Sequence, residues 1–275
     1  MRSQTLLRQR VLVALVLLPI GLILIYLGGW AFAAIVALIL ALAAWEYTRL
    51  FQAGNFQPSY VIVIGGTLLI TAGRYFDGFA STPWIISLIV LAGMTWHLVA
   101  YERGRDQAAT DFAISISGAF YIGWLGAYLI SLRELPNGLW WILVALPAVW
   151  LADSGAYFIG RAIGKHKLSP RLSPKKTWEG YLGGLIFGTI GSVLLVLLWS
   201  LIEPGIILPW QGAVLGLLIS AITPLGDLGE SMIKRQFGIK DSSHLIPGHG
   251  GAFDRIDSWL WAGVLGYYII QWLFL

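Results

Sequence analysis

Apolar residues in this chain come in runs of about 16 to 25, and that run length restricts the fold more than anything else in the sequence. A helix rising 1.5 Å per residue needs about 20 apolar residues to cross a hydrocarbon layer about 30 Å thick, so each run suffices for one crossing. Transmembrane strands would instead alternate polar and apolar positions over about ten residues. Composition agrees, with 57% of the 275 residues apolar and 12% charged, against about 25% charged in an ordinary soluble domain. A soluble globule and a disordered chain are excluded. The absence of cysteine also removes disulfide staples, thiolate zinc sites and cysteine nucleophiles.

The expected fold is an all-α polytopic integral membrane protein. About nine transmembrane helices are expected, near 11–28, 30–50, 59–74, 83–101, 111–132, 138–160, 178–202, 208–233 and 257–274. The basic lead Arg2, Arg8 and Arg10 resembles that of a signal peptide, but Trp30 opens another apolar run at once, so the first span reads as a retained helix. With the N-terminus inside, the inner segments hold 16 of the 18 lysines and arginines, and only Arg74 and Arg133 fall outside. Positive residues concentrate on the cytoplasmic side, so the N-terminus is cytoplasmic and the C-terminus outside. The +4 net charge is explained by that bias, and no nucleic-acid partner is expected.

Residues 1–150 read as a membrane scaffold, whereas 151–275 read as a catalytic region with cytoplasmic loops at 161–177 and 234–256. Asp153 lies inside an apolar run, where an acid costs about 2.5–3.5 kcal/mol to insert and is a functional candidate by default. The first loop carries Arg161, Lys165, Lys167, Arg171, Lys175 and Lys176, with Ser173 and Thr177 among them. Such a cluster binds phosphate or anionic lipid headgroups. Thr177 is placed to cap the helix that begins at Trp178 and to leave its free N–H groups toward an anion. Gly180, Gly184 and Gly188 then form a stripe suited to close helix contact.

Charged residues are densest after Pro224. Asp227, Glu230, Ser231 and Lys234 follow helical spacing and share one face, while Pro224 and Gly226 offer a break in the span. A glycine-rich stretch follows, with His249, Gly250, Gly251, Asp254, Arg255 and Asp257. His244 and His249, five apart and without cysteine partners, are poorly spaced for zinc. Carboxylates beside phosphate-binding cations fit magnesium, which takes one or two carboxylates plus substrate phosphates. The pattern points to phosphoryl or nucleotidyl transfer at a membrane surface.

The run from Ser231 to Arg235, then Lys240-Asp241, Pro247 to Gly251 and Asp254 to Asp257, closely resembles the motif of the phosphatidate cytidylyltransferases (CDP-diacylglycerol synthases). Ser173 to Gly180 is similar to the same family, and the likeness covers about residues 150–260. The resemblance implies transfer of CMP from CTP to phosphatidic acid, giving CDP-diacylglycerol and pyrophosphate. It further implies magnesium with potassium as a second ion, a homodimer, and a bacterial inner membrane with the active site facing the cytoplasm. The metal roles fall on Asp227 and Asp254, with Asp153 near them. Catalytic roles fall on Lys234, Arg235, Lys240, Asp241, Arg255 and Asp257, and substrate-binding roles on Ser173, Lys175, Lys176, Thr177, Glu179, Ser231, His249, Gly250 and Gly251. Two other readings stay open: a relative acting on another lipid phosphate, and a secondary transporter of an anionic substrate with Asp153 as an ion relay.

Overall fold

The computed structural model describes residues 2–243, 245 and 250–275, with the side chains of 2–12 and 14 excepted. His249, expected to bind substrate, lies outside the described residues. Eleven α-helices follow in order: α1 (Arg2–Leu27), α2 (Gly29–Ala53), α3 (Tyr60–Asp77), α4 (Thr82–Glu102), α5 (Ala108–Gly118), α6 (Leu125–Glu134), α7 (Gly138–Ile163), α8 (Trp178–Trp199), α9 (Pro209–Ile222), α10 (Pro224–Gln236) and α11 (Phe253–Leu273). A π-helical turn, Ala119–Trp124, joins α5 to α6.

Among the described residues, six helical segments are long and apolar enough to cross a membrane: Gly29–Ala53, Thr82–Glu102, Ala108–Glu134, Gly138–Ile163, Trp178–Trp199 and Pro209–Gln236. Nine were expected. Arg74 and Asp77 dilute the apolar content of α3, as Asp254, Arg255 and Asp257 do that of α11. The described residues are mostly helical, as expected, with one local exception. The polar stretch expected as a loop contains an antiparallel hairpin, β1 (Lys167–Ser169) and β2 (Ser173–Thr177), with Lys167 opposite Thr177. Pro170 lies in the connecting turn, where its fixed φ is favoured.

The chain forms two compact units, Met1–Ser131 with Ile233–Ile256, and Leu132–Met232 with Asp257–Leu275. In the first, Ile62, Ile70, Ile85, Ile89, Ala119 and Ala127 form an apolar core. The π-helical turn brings Gly123 against α3, where a Cβ would stand 2.7 Å from the Thr67 Cα. Arg74 is buried beside the rings of Phe79, Trp124 and Tyr128 and donates to Ser131 Oγ at 2.9 Å, so its charge is met by ring faces and a hydroxyl.

The second unit packs helix on helix through glycine. A Cβ on Gly180 would lie 2.7 Å from the Ala156 carbonyl oxygen, and one on Gly184 would lie 2.9 Å from that of Ala152, so α8 and α7 meet backbone to backbone. Gly188 receives the Ser220 side chain of α9. The glycine stripe thus makes the close contacts expected of it. α9 ends at Ile222 with Thr223 as its C-cap, and α10 starts at Pro224, whose ring removes an N–H and favours a helix start. Just beyond, a Cβ on Gly226 would stand 2.5 Å from the Asp257 carbonyl oxygen. This close approach brings the first turns of α10 beside α11.

Candidate active site

That approach assembles a group of acids in the second unit. Asp227 and Glu230 on α10 and Asp257 on α11 each offer a carboxylate oxygen, and these oxygens all lie within 4.8 Å of one another. Ser231, one turn after Asp227, donates to its Oδ1 at 3.3 Å. Three hard oxygen donors at this spacing suit a magnesium-sized cation. Sequence reasoning had placed Glu230 on this helix face without a metal role, and Asp257 among the catalytic residues.

A cation already touches the group. Lys176 Nζ lies 2.5 Å from Asp227 Oδ2, both side chains being partly exposed. Lys176 also lines a cavity of about 500 Å³ between α7, α8 and the hairpin, with Asp153, Arg161, Lys167, Lys175 and Thr177. Ala152, Ala156, Gly160, Gly180 and Gly184 also line it, where α7 and α8 meet. Cations, hydroxyls and small apolar residues therefore line one cavity, and Lys176 connects it to the carboxylates.

The hairpin is tied to α8 at two points. Thr177 Oγ1 accepts the Gly180 N–H at 3.1 Å, the N-cap its spacing implied. Glu179, expected to bind substrate, is engaged locally: its carboxylate meets His166 Nδ1 at 2.6 Å and accepts the N–H groups of Lys165 and His166 at 3.1 and 3.2 Å. It thereby closes the hairpin onto the helix. Ser173 and Lys175 ride on β2, with Lys175 exposed.

The first unit holds a different arrangement. Lys234 Nζ donates to Asp254 Oδ1 at 2.5 Å, with both side chains at least nine-tenths buried. Asp254 Oδ2 accepts from Ser242 N and Oγ, both at 2.9 Å, and from Gly251 N at 2.8 Å. Gly250 has φ +82, and a Cβ there would sit 2.6 Å from Asp254 Oδ2, so glycine is required on both counts. Arg235 donates to the Ile239 carbonyl at 3.0 Å beyond the end of α10. Lys240, Asp241 and Arg255 are exposed.

Glu46 on α2 was not anticipated. Its carboxylate has no exposed surface. It accepts from Ser243 Oγ at 2.5 Å and Ala252 N at 3.0 Å through Oε1, and from Ser242 Oγ at 2.9 Å and Phe253 N at 2.8 Å through Oε2. The signal was present in Trp45-Glu46-Tyr47, an acid inside an apolar run, the criterion that picked out Asp153.

Comparison with known proteins gives the family of the chain. A model described as the Cytidylyltransferase family matches residues 8–273. Proteins named phosphatidate cytidylyltransferase are similar along nearly the full chain. The one from Pseudomonas aeruginosa is 38% identical over 265 residues, covering 92% of each chain. That from Synechocystis is 34% identical over 298 residues, covering 95% of this chain and 96% of its own. The Haemophilus influenzae protein is 35% identical over 271 residues, covering 92% of this chain and 94% of its own.

Proposed function

The chain belongs to the cytidylyltransferase family, and from that premise we propose that it transfers the CMP moiety of CTP to phosphatidic acid, giving CDP-diacylglycerol and pyrophosphate for phospholipid synthesis. It is a nucleotidyltransferase and a multi-pass membrane protein. The observation that carries the reading is the Lys176–Asp227 contact, which joins a cation-lined cavity to three clustered carboxylates within one compact unit.

The chemistry asks for little more. An oxygen of the lipid phosphate attacks the α-phosphorus of CTP; a new P–O bond forms there, the α–β bridging P–O bond breaks, and pyrophosphate leaves with the electron pair. The attacking phosphate is already anionic, its second pKa being about 6, so no general base is needed. The difficulty is bringing like charges together, and the protein meets it with positioned cations. Arg161, Lys175 and Lys176 would hold phosphate at the cavity, with Ser173 and Thr177 as nearby hydroxyls. Exposed Lys240 and Arg255 would bind phosphate in the same manner, as would Arg235.

Asp227, Glu230 and Asp257 would hold magnesium, whose chemistry when bound is to offset phosphate charge; potassium is the proposed second ion. Asp153, on the cavity wall, is kept as a further carboxylate near it. Asp254 would reach an ion only by giving up Lys234. We further propose the nine-span topology with the N-terminus and the two polar loops in the cytoplasm of a bacterial inner membrane, and a homodimer.

Purified protein incubated with labelled CTP, phosphatidic acid and magnesium is expected to yield CDP-lipid and pyrophosphate in equal amounts. No product across a range of phosphatidic acids and detergents would overturn the reaction, whereas product from a polyprenyl phosphate alone would reassign the lipid. Because the chain has no native cysteine, one introduced at Ser169 reports orientation: labelling by an impermeant reagent from outside intact cells would reverse the topology.

A further inference from the structure

Phe253 begins α11, and the four N–H groups at a helix start have no partner within the helix. The Glu46 carboxylate, from α2, meets the N–H groups of Ala252 and Phe253 there, one on each oxygen, and each oxygen also accepts a serine hydroxyl, from Ser243 or Ser242. Gly251 has no room for a side chain because the Glu46 carboxylate and Ser242 fill the place its Cβ would take. Phe253 is fully buried, with the rings of Tyr47 and Tyr121 edge-on to it at 6.2 and 6.4 Å. The middle of the segment between α10 and α11, at Ser242 and Ser243, and its C-terminal end, at Ala252, are therefore both fastened to one acid that lies about 200 residues upstream of its partners. The Ser242 hydroxyl lies 2.9 Å from Asp254 Oδ2 as well, its one proton shared between the two acids, and the Ser242 N–H donates to that same oxygen, so the fastening extends to the Lys234–Asp254 pair.

We propose that Glu46 is a positioning residue for the transfer reaction. It touches neither substrate; it fixes Ser242, Gly251 and the first turn of α11, and through them the place of Asp254 and the adjoining Arg255. This rests on the reaction assigned above. The carboxylate form is required. Each oxygen faces a backbone N–H, so whichever way a glutamine amide is turned its NH2 group would oppose one of them. A neutral isostere fills the volume and fails the chemistry.

The test uses the full chain in detergent, with kinetics and hydrogen exchange measured side by side. Glu46→Gln is expected to lower kcat at least tenfold while KM for CTP stays within about threefold, and to speed amide exchange in peptides covering 250–256 at least tenfold. Glu46→Asp keeps the charge and is expected to recover part of kcat. Ser243→Ala removes one donor only, and is expected to lower kcat two- to threefold with a normal melting temperature, which keeps the test open where Glu46→Gln does not fold. Unchanged exchange at 250–256 in Glu46→Gln overturns the proposal. So does normal specific activity per folded molecule in Glu46→Gln, or, where that variant does not fold, wild-type kcat in Ser243→Ala. Wild-type protein that makes no CDP-lipid refutes the assigned reaction instead, and the exchange result then decides whether Glu46 holds this segment.

Discussion

Asp227, Glu230 and Asp257 bring carboxylate oxygens within 4.8 Å of one another, whereas the Glu46 and Asp254 carboxylates are each met by several donors of the chain. The difference is electrostatic. Carboxylates whose oxygens lie within 4.8 Å of one another repel by at least about 3 kcal/mol at an effective dielectric near 20, and the partly exposed Lys176 offsets part of this at Asp227. A group of that kind gains from an added cation. Glu46 and Asp254 instead spend their lone pairs on N–H, O–H and ammonium groups of the chain itself, so an ion there would have to displace bonds already made. Two acid-rich places in one chain thus divide into one suited to a metal and one suited to holding a segment still.

The largest effect expected from breaking this contrast falls on the saturated side. Lys234→Met leaves Asp254 buried without its ammonium, and removing one partner of a buried pair costs about 3–5 kcal/mol. Thermal unfolding in detergent should show the loss, with most of it restored when Asp254→Asn is added. A single variant as stable as wild type would mean that Asp254 does not depend on Lys234.

On the other side, the effect belongs to turnover. Asp227→Asn and Asp257→Asn should each lower kcat by about 100-fold or more if a metal supplies several kcal/mol of stabilisation, with melting temperature unchanged. The double variant should be little worse, since parts of one site are not additive. Unaltered activity at limiting magnesium would remove the residue from the ion site. Lys175→Ala should cost a charge-assisted contact of about 1.5–3 kcal/mol, at least tenfold in kcat/KM, without a change in melting. The smallest effect is Thr177→Ala, which removes the cap of α8 and about 1 kcal/mol of stability, read as a small fall in melting temperature.

How far this was legible in the sequence depended on the range of each signal. The Thr177 cap and the break at Pro224 rest on residues a few positions apart, and both formed as read. Gly180 and Gly184 announced a close helix contact, though not that α7 would be the partner. Glu46 was missed because its four donors lie 196 to 207 residues away, and no periodicity connects such distant positions. The hairpin was missed because its serines, prolines and lysines read as a phosphate loop. Gly250 and Gly251 were assigned to substrate binding, and the structure sets the Asp254 and Glu46 carboxylates beside them.

The wall of the cavity between α7 and α8 carries a consequence of its own. Where side chains line a chamber, its width shifts whenever a rotamer flips. Here Ala152, Ala156, Gly160, Gly180 and Gly184 line the part where α7 and α8 meet, and the opposing backbones already stand at contact. Such a chamber has no soft parts on that side, and its gauge changes only if one helix slides along the other. A single methyl at Gly180 or Gly184 would act as a wedge between the two helices, altering the shape of the chamber while every cation that lines it stays in the sequence.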